Sequence, residues 1–167
     1  TPGAAPPPGE PAAAPDGPTA PGPPVGPGAA PGPEGAPAAS QELAAYRSAY
    51  EAWRTDAHQA CIDRFREFLQ AFPSSDYADD AAYWMADCYF EQGDYQTAIL
   101  RFDDVVSRHP TSPKASEALY RQGEALMRLG PSFSKAAQKA FERVIDEYPE
   151  STRARDAERQ LELIGSG

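Results

Sequence analysis

The side chains with the clearest chemistry in this sequence are aromatic and acidic residues that recur at intervals of 37 residues. One series is entirely tyrosine, one holds large apolar side chains, and two hold mainly carboxylates. Their members are Tyr46, Tyr83 and Tyr120; Trp53, Phe90 and Met127; Tyr50, Asp87 and Glu124; and Asp80 and Glu117. Exposed aromatic rings anchor protein ligands, and neighbouring carboxylates favour Lys or Arg on the ligand. Where such rings and carboxylates share one exposed surface, they would suit the binding of a peptide or protein.

Patterns for catalysis or metal binding are much weaker. The sequence contains no nucleophile elbow, phosphate-binding loop or paired-histidine motif. His58, Cys61 and Cys88 could supply three metal ligands, but a fourth ligand is missing. We therefore expect a protein without enzymatic activity, without a metal site and without a cofactor.

A repeated element must position these residues, because three copies of one unit follow one another at spacings of 37 and 39 residues. Each copy has a phenylalanine and, eight residues later, the start of a Pro-x-Ser-x-x-Ala-x-x-Ala motif. The phenylalanines are Phe65, Phe102 and Phe141, and the prolines are Pro73, Pro110 and Pro149. Repeats of this length stack on one another to bury their apolar faces. We predict an all-α, right-handed helical solenoid.

Helix boundaries follow from residues that start or stop helices. Gly93 suits the end of one helix and Asp94 the start of the next, while Ser112 can cap a helix that has Pro113 at its first position. Gly130 closes the following helix. The predicted pairs are roughly 41 to 55 with 58 to 71, 76 to 92 with 94 to 108, and 113 to 129 with 133 to 147, with a capping helix near 152 to 164.

The two cysteines fall within these predicted helices. Cys61 and Cys88 occupy positions at which the other repeats have small or apolar residues. Buried, reduced thiols are the leading interpretation, and a disulfide between adjacent helices is the alternative.

The first 40 residues differ in composition from the rest, since they contain 14 Pro, 11 Ala and 8 Gly. Such a segment cannot build a packed core, so we predict a disordered linker over residues 1–40 and a folded domain over residues 41–167. The chain begins at Thr1 without an initiator Met, and we expect any signal peptide to lie upstream of it.

Charge and hydropathy exclude several partners. Residues 41–167 contain 22 of the 25 acidic residues and all 15 Lys and Arg residues, so the predicted domain is acidic. An acidic surface argues against nucleic acid or anionic lipid as a partner. No run of 18 apolar residues is present, so we expect no membrane insertion.

Small residues at fixed offsets from the phenylalanines make the units similar to tetratricopeptide repeats, over about residues 42–75, 79–112 and 116–151, with a cap at 152–164. The resemblance implies that the first helix of each pair lines a concave protein-binding groove, aromatic in its centre and acidic along its wall. Trp84 falls outside the groove positions and is expected in the core. The predicted groove residues are Tyr46, Tyr50, Trp53, Asp80, Tyr83, Asp87, Phe90, Glu91, Glu117, Tyr120, Glu124 and Met127.

Longer segments carry a more specific resemblance. The stretch from Tyr83 to Tyr89, the Gln-Gly-Asp-Tyr turn at 92–95 and the Pro-Thr-Ser-Pro-Lys-Ala connection at 110–115 resemble the periplasmic Tol-Pal accessory protein family, the cell division coordinators of the CpoB (YbgF) type. The resemblance covers about residues 41 to 164. It implies a periplasmic adaptor that coordinates septal peptidoglycan synthesis with outer-membrane constriction. Implied partners are the Tol-Pal inner-membrane component and a penicillin-binding protein.

Family members of this kind also have a trimerising coiled coil, which is absent from this chain and leaves its oligomeric state open. Related repeats occur in lipoproteins that scaffold outer-membrane protein assembly or pilus assembly, which is the alternative function. A cytosolic scaffold is a third hypothesis. A plain signal peptide with heptads upstream would favour the adaptor, and a lipobox would favour the lipoprotein.

Overall fold

The computed structural model describes residues 36–166, which form seven α-helices and one short 3-10 turn. Most of the predicted linker, residues 1–35, lies outside the described residues. The helices are α1 (Ala36–Arg54), α2 (His58–Ala71), α3 (Ala78–Glu91), α4 (Tyr95–Arg108), α5 (Pro113–Leu129), α6 (Ser134–Glu147) and α7 (Thr152–Gly165), with the 3-10 turn at Pro131–Phe133. The predicted helix pairs and the capping helix are confirmed as elements.

One boundary prediction was wrong, because α1 begins at Ala36 rather than near Gln41. The added turn contains three alanines and Pro37, and alanine has the highest helix propensity. Proline is tolerated in the first turn of a helix, where its missing N–H costs no hydrogen bond. Residues 36–40 therefore belong to the first helix and not to the linker.

The caps predicted from sequence are present. The Asp94 side chain accepts a hydrogen bond from the Thr97 backbone N–H at 3.1 Å, and Ser112 accepts one from the N–H of Lys114 at 3.0 Å. Gly93 and Gly130 have φ values of 87° and 113°, which glycine adopts at little cost. Asp56 stands 37 residues before Gly93 and also has a positive φ, 55°. The first turn therefore repeats the others although it lacks their glycine.

Each helix packs against the next along the chain, and α1, α3, α5 and α7 also contact one another in succession. Phe65, Phe102 and Phe141 are fully buried where the second helix of each pair meets its neighbours. The small residues predicted opposite them are needed for this packing. A Cβ atom added at Gly123 would lie 2.7 Å from the Phe141 ring. The odd-numbered helices thus form an inner layer, and the even-numbered helices an outer one.

Candidate functional site: a groove on the inner layer

A cavity with a volume of about 580 Å³ lies on the inner layer. Every residue that lines it comes from α1, α3, α5 or α7, so consecutive repeats contribute to one continuous groove. Its lining is Trp53, Tyr83, Trp84, Asp87, Glu91, Lys114, Glu117, Arg121, Glu124, Thr152 and Arg153. Six of these were predicted: Trp53, Tyr83, Asp87, Glu91, Glu117 and Glu124.

The tyrosine series is not exposed as predicted. Tyr46, Tyr83 and Tyr120 are all at most 5% exposed, because each ring packs beneath the inner helices against its own repeat's core. Burial raises the pKa of all three phenols, and for Tyr83 the nearby Asp87 and Glu117 carboxylates raise it further. Phe90 is buried as well. Tyr83 lines the cavity, and Phe90 and Tyr120 lie beneath Arg121 and Arg153, so these three rings form the floor of the groove rather than exposed anchors.

Trp53 and Tyr50 are the partly exposed aromatic residues at the first repeat's side of this layer. Their rings stack with centroids 5.3 Å apart, and the Trp53 ring lies 4.5 Å from that of Trp84. Trp84 is only 1% exposed, so its predicted place in the core is confirmed, although it also reaches the groove floor. Met127 is exposed, but it lies on α5 outside the groove lining.

The predicted acidic wall is also corrected, because its carboxylates are paired with cations. Arg121 contacts Asp87, Glu91 and Glu124, with Nη2 2.8 Å from the Glu91 carboxylate. Arg153 binds Glu117, and Lys114 Nζ lies 3.9 Å from Asp80. The groove therefore presents alternating charges of both signs.

Asp87 is the centre of this network and is 4% exposed. The Trp53 indole N–H donates to one carboxylate oxygen at 2.8 Å, and Arg121 Nε donates to the other at 2.9 Å. The three residues lie on α1, α3 and α5, 34 residues apart along the chain. Burial lowers the pKa of the Arg121 guanidinium, but Asp87, Tyr83 and Glu91 together outweigh this effect, so the net pKa is raised and the charge retained. A buried carboxylate thus joins three consecutive repeats.

The cations of the groove also stack on the aromatic floor. Arg121 lies 3.9 Å from the centre of the Phe90 ring, and Arg153 lies 4.7 Å from that of Tyr120. Lys114 lies over both Tyr83 and Trp84. Sequence reasoning missed all three cations. A signal was available, because Arg121 follows Asp87 by 34 residues and Arg153 follows Glu117 by 36, close to one repeat.

Cys61 and Cys88 form a disulfide that joins α2 to α3, with Cα atoms 6.4 Å apart. The leading interpretation, reduced thiols, was therefore wrong, and the alternative of a disulfide between adjacent helices holds. Both residues are fully buried next to the aromatic floor of the first repeat. Because both sulfurs are in the disulfide, neither can serve as a thiolate metal ligand.

Across residues 36–166, none of the helices combines the length and the apolar character that crossing a bilayer would require.

Comparisons with known proteins give a family and a fold. The family model of YfiO, an outer membrane lipoprotein, matches residues 38–166. No curated protein matches the chain. Among solved structures, the first tetratricopeptide domain of Spaghetti (RPAP3) bound to the HSP90 peptide SRMEEVD superposes with a TM-score of 0.61 and 20% identity, covering 76% of this chain and 92% of that one. The first such domain of human RPAP3 gives 0.59 and 21%, with 75% and 90% covered.

At these identities the two structures establish the fold alone. The described residues have the tetratricopeptide repeat fold, which is built from stacked helix pairs.

Proposed function

Since this chain belongs to the YfiO family of outer membrane lipoproteins, we propose that it is a non-enzymatic scaffold of the cell envelope that binds a segment of another envelope protein. The observation that carries this proposal is the 580 Å³ groove, which four successive inner helices line without interruption. Its length along the solenoid suits an extended or helical protein segment. The resemblance to a peptide-bound RPAP3 domain supports the same mode of binding.

The chemistry of the groove narrows the partner. Because Asp87, Glu91, Glu117 and Glu124 are already paired with arginines, a ligand rich only in Lys or Arg would have to displace existing ion pairs. A segment with charges of both signs can instead add to the alternating pattern without leaving an ion unpaired. The partly exposed rings of Tyr50 and Trp53 supply the apolar anchor.

The disulfide supports an extracytoplasmic location. Structural disulfides persist in oxidising compartments such as the periplasm and are rare in the cytosol. The Cys61–Cys88 bond, together with membership of an envelope lipoprotein family, favours a periplasmic domain tethered to a membrane by sequence upstream of it.

Two envelope pathways compete at the finer level. The family match favours the scaffold of outer-membrane protein or pilus assembly. The sequence segments at 83–89 and 110–115 favour the Tol-Pal adaptor, with the Tol-Pal inner-membrane component and a penicillin-binding protein as partners. The two pathways differ in the protein that would occupy the groove.

Site-specific photo-crosslinking in the native host tests both levels. Glu91, exposed at the groove rim, would be replaced by p-benzoylphenylalanine, with Leu100 on the outer layer as the matched position. We expect one defined crosslinked protein from the Glu91 position and none of that size from Leu100. An outer-membrane assembly component would favour the scaffold, and the Tol-Pal component the adaptor. Equal crosslinking from both positions would contradict a groove-specific function.

Metabolic labelling with a fatty acid separates the lipoprotein from a soluble periplasmic adaptor. We expect the full-length gene product to incorporate labelled palmitate and to fractionate with membranes. A product that remains unlabelled and is released with the periplasmic fraction would contradict the lipoprotein proposal while leaving groove binding intact.

A further inference from the structure

A second cavity lies away from the groove, where α2, α3 and α4 meet. It has a volume of about 230 Å³. Leu69, Ala82 and Met85 supply an apolar floor, and Arg101, Arg108 and His109 lie among the residues around it. None of its lining residues also lines the groove. The two surfaces can therefore be occupied independently.

The repeat itself shows why this cavity exists. One repeat further along, 37 residues after Ala82, stands Leu119, which is fully buried. In the same way Val106 takes the place of Leu69 and is 5% exposed. At the second position the larger side chain fills the space between the helices, whereas Ala82 leaves it open. An equivalent cavity of about 260 Å³ lies one repeat earlier, around Ala45, Arg64 and Glu67, so alanine at this position leaves the space open there as well. The two cavities differ at the rim, because Ala71 and Phe72 stand where this cavity has Arg108 and His109.

The charges around this cavity, between α2, α3 and α4, also differ from those at the equivalent place between α4, α5 and α6. Arg108 and His109 make no ion pair or side-chain hydrogen bond within residues 36–166, and the single carboxylate of the lining, Asp104, is 3.1 Å from Arg101 on the same helix. The equivalents of Arg108 and His109 are Glu147, which binds Arg143 at 2.7 Å, and Tyr148.

The Tyr148 hydroxyl donates a hydrogen bond to the Pro110 carbonyl at 3.1 Å, so the residues between α4, α5 and α6 bond to one another. Around the cavity between α2, α3 and α4, by contrast, Arg101 and Arg108 face a single carboxylate, Asp104, so positive charge is in local excess on a chain whose net charge is −10. Such an isolated cationic rim attracts an acidic ligand.

We propose that this cavity binds a partner segment in which one apolar side chain is flanked by acidic residues. Its volume is below the range of about 300–1,000 Å³ that is usual for small-molecule sites, and it suits a single inserted side chain. An apolar anchor in a pocket with complementary charge around it is the usual architecture of a small interface centre. The partner would be held on the outer layer while the groove remains free.

The repeat supplies two variants that should fold normally. Ala82→Leu copies the buried Leu119 and fills the cavity, and Arg108→Glu copies Glu147 and reverses the rim charge. Lys139→Glu, at an exposed site on α6, is the matched charge control. Circular dichroism would verify that all three keep their helicity.

The probe is a display library of random twelve-residue peptides panned against the full chain, followed by titration of enriched peptides under methyl NMR. The chain has two methionines, of which Met85 lines the cavity and Met127 is exposed elsewhere. We expect enriched peptides with an apolar residue next to Asp or Glu. They should shift the Met85 methyl resonance and leave Met127 unchanged.

Ala82→Leu and Arg108→Glu should each weaken this binding at least about tenfold, and Lys139→Glu should leave it within about twofold. The proposal is overturned if no peptide is enriched, if enriched peptides lack acidic residues, or if they bind Ala82→Leu as tightly as the parent chain. A Met85 shift produced by protein concentration alone would identify a second copy of this chain, and one produced by laurate an acyl chain. Either result would also overturn it.

Discussion

A step of the solenoid is the contact between one helix pair and the helix that follows it. The first and last steps are held together by different kinds of side chain. In the first step, α1 and α2 pack on α3 through large rings, including Tyr46, Phe65 and Trp84, and a disulfide joins α2 to α3. In the last step, α5 and α6 meet α7 through Ala154 and Ala157, with Leu161 and Ile164 only partly buried.

Stacked repeats contact mainly their neighbours, so stability is set step by step. The ring-rich, crosslinked first step should therefore open at a higher free energy than the alanine-lined last step. The groove spans both steps. A partner bound along its whole length would add stability mainly at the α7 end, where the chain itself supplies the least.

The largest effect is expected at the carboxylate that joins the first step to α5. Asp87→Ala leaves the Trp53 N–H without its acceptor and removes one of the three carboxylates around Arg121. Breaking a buried ion pair costs about 3–5 kcal/mol, and urea denaturation would measure the loss in the free energy of unfolding.

The last step offers a matched control for this variant. Glu117 pairs with Arg153, but both side chains are more than a quarter exposed. Glu117→Ala should cost much less, on the order of 1 kcal/mol, because solvent screens the pair. Equal losses for the two variants would contradict the assignment of Asp87 as a buried junction.

The disulfide tests the comparison at its most distinct feature. Cys61→Ala combined with Cys88→Ala should lower the free energy of unfolding by roughly 2–4 kcal/mol. Hydrogen exchange should speed up in α1 and α2, with little change in α6 and α7. A reductant should lower the melting temperature of the parent chain and leave that of the variant unchanged. A uniform increase in exchange over all helices would show that the steps unfold as one unit.

Gly123 probes the close approach of α5 and α6 near the last step. An alanine there would place its Cβ 2.7 Å from the Phe141 ring, so the ring or the helix must move. Overpacking of this kind costs about 1–3 kcal/mol. The matched variant Gly165→Ala has no atom within 4 Å of the new Cβ and should be close to neutral. Thermal melts of the two variants would decide whether small size at position 123 is required.

The helices could be predicted from the sequence almost completely, and the groove residues only in part. The proline, serine and glycine residues that cap or end helices indicated where the helices lie, because capping and helix termination depend on local sequence. The start of α1 was misplaced because the composition of Ala36 to Ser40 fits the end of the Pro-, Ala- and Gly-rich segment as well as the first turn of a helix. Half of the residues predicted for the groove line the inner-layer cavity and half do not, for a physical reason. Spacing assigns a side chain to a helix face, but it does not determine how deeply a ring sinks between two helices.

The same limit applies to charge. The carboxylates recur at the same positions of successive repeats, whereas their arginine partners occupy other repeat positions. The packing of the helices brings the two sets together. The disulfide was undecided because a sequence gives cysteine positions on helices and not the distance between those helices.

The last prediction concerns a serine–carboxylate hydrogen bond that occurs at two of the connections between repeats and is absent at the third. The hydroxyl of Ser75 bonds the Glu42 carboxylate, and the hydroxyl of Ser112 bonds that of Asp79. The corresponding hydroxyl of Ser151 is buried without a hydrogen-bond partner.

The cause is at Ser116, which stands 37 residues after Asp79 and carries no carboxylate. Ser116→Asp should complete the series at the N-terminus of α7, where a negative charge is also favourable. A hydrogen bond of this kind contributes about 0.5–1.5 kcal/mol, reduced here by burial of the carboxylate. We therefore expect a gain of about 0.5 kcal/mol in urea denaturation, close to the smallest difference such a measurement resolves.

Ser151→Ala provides the control, because Ser116→Asp introduced into that variant has no hydroxyl to accept from and should no longer stabilise the chain. The difference between the two backgrounds isolates the pairwise energy. A stabilisation that persists without the Ser151 hydroxyl would assign the gain to the helix terminus alone. If Ser116→Asp destabilises both backgrounds equally, desolvation outweighs the bond, and the weaker last step cannot be repaired by copying the first.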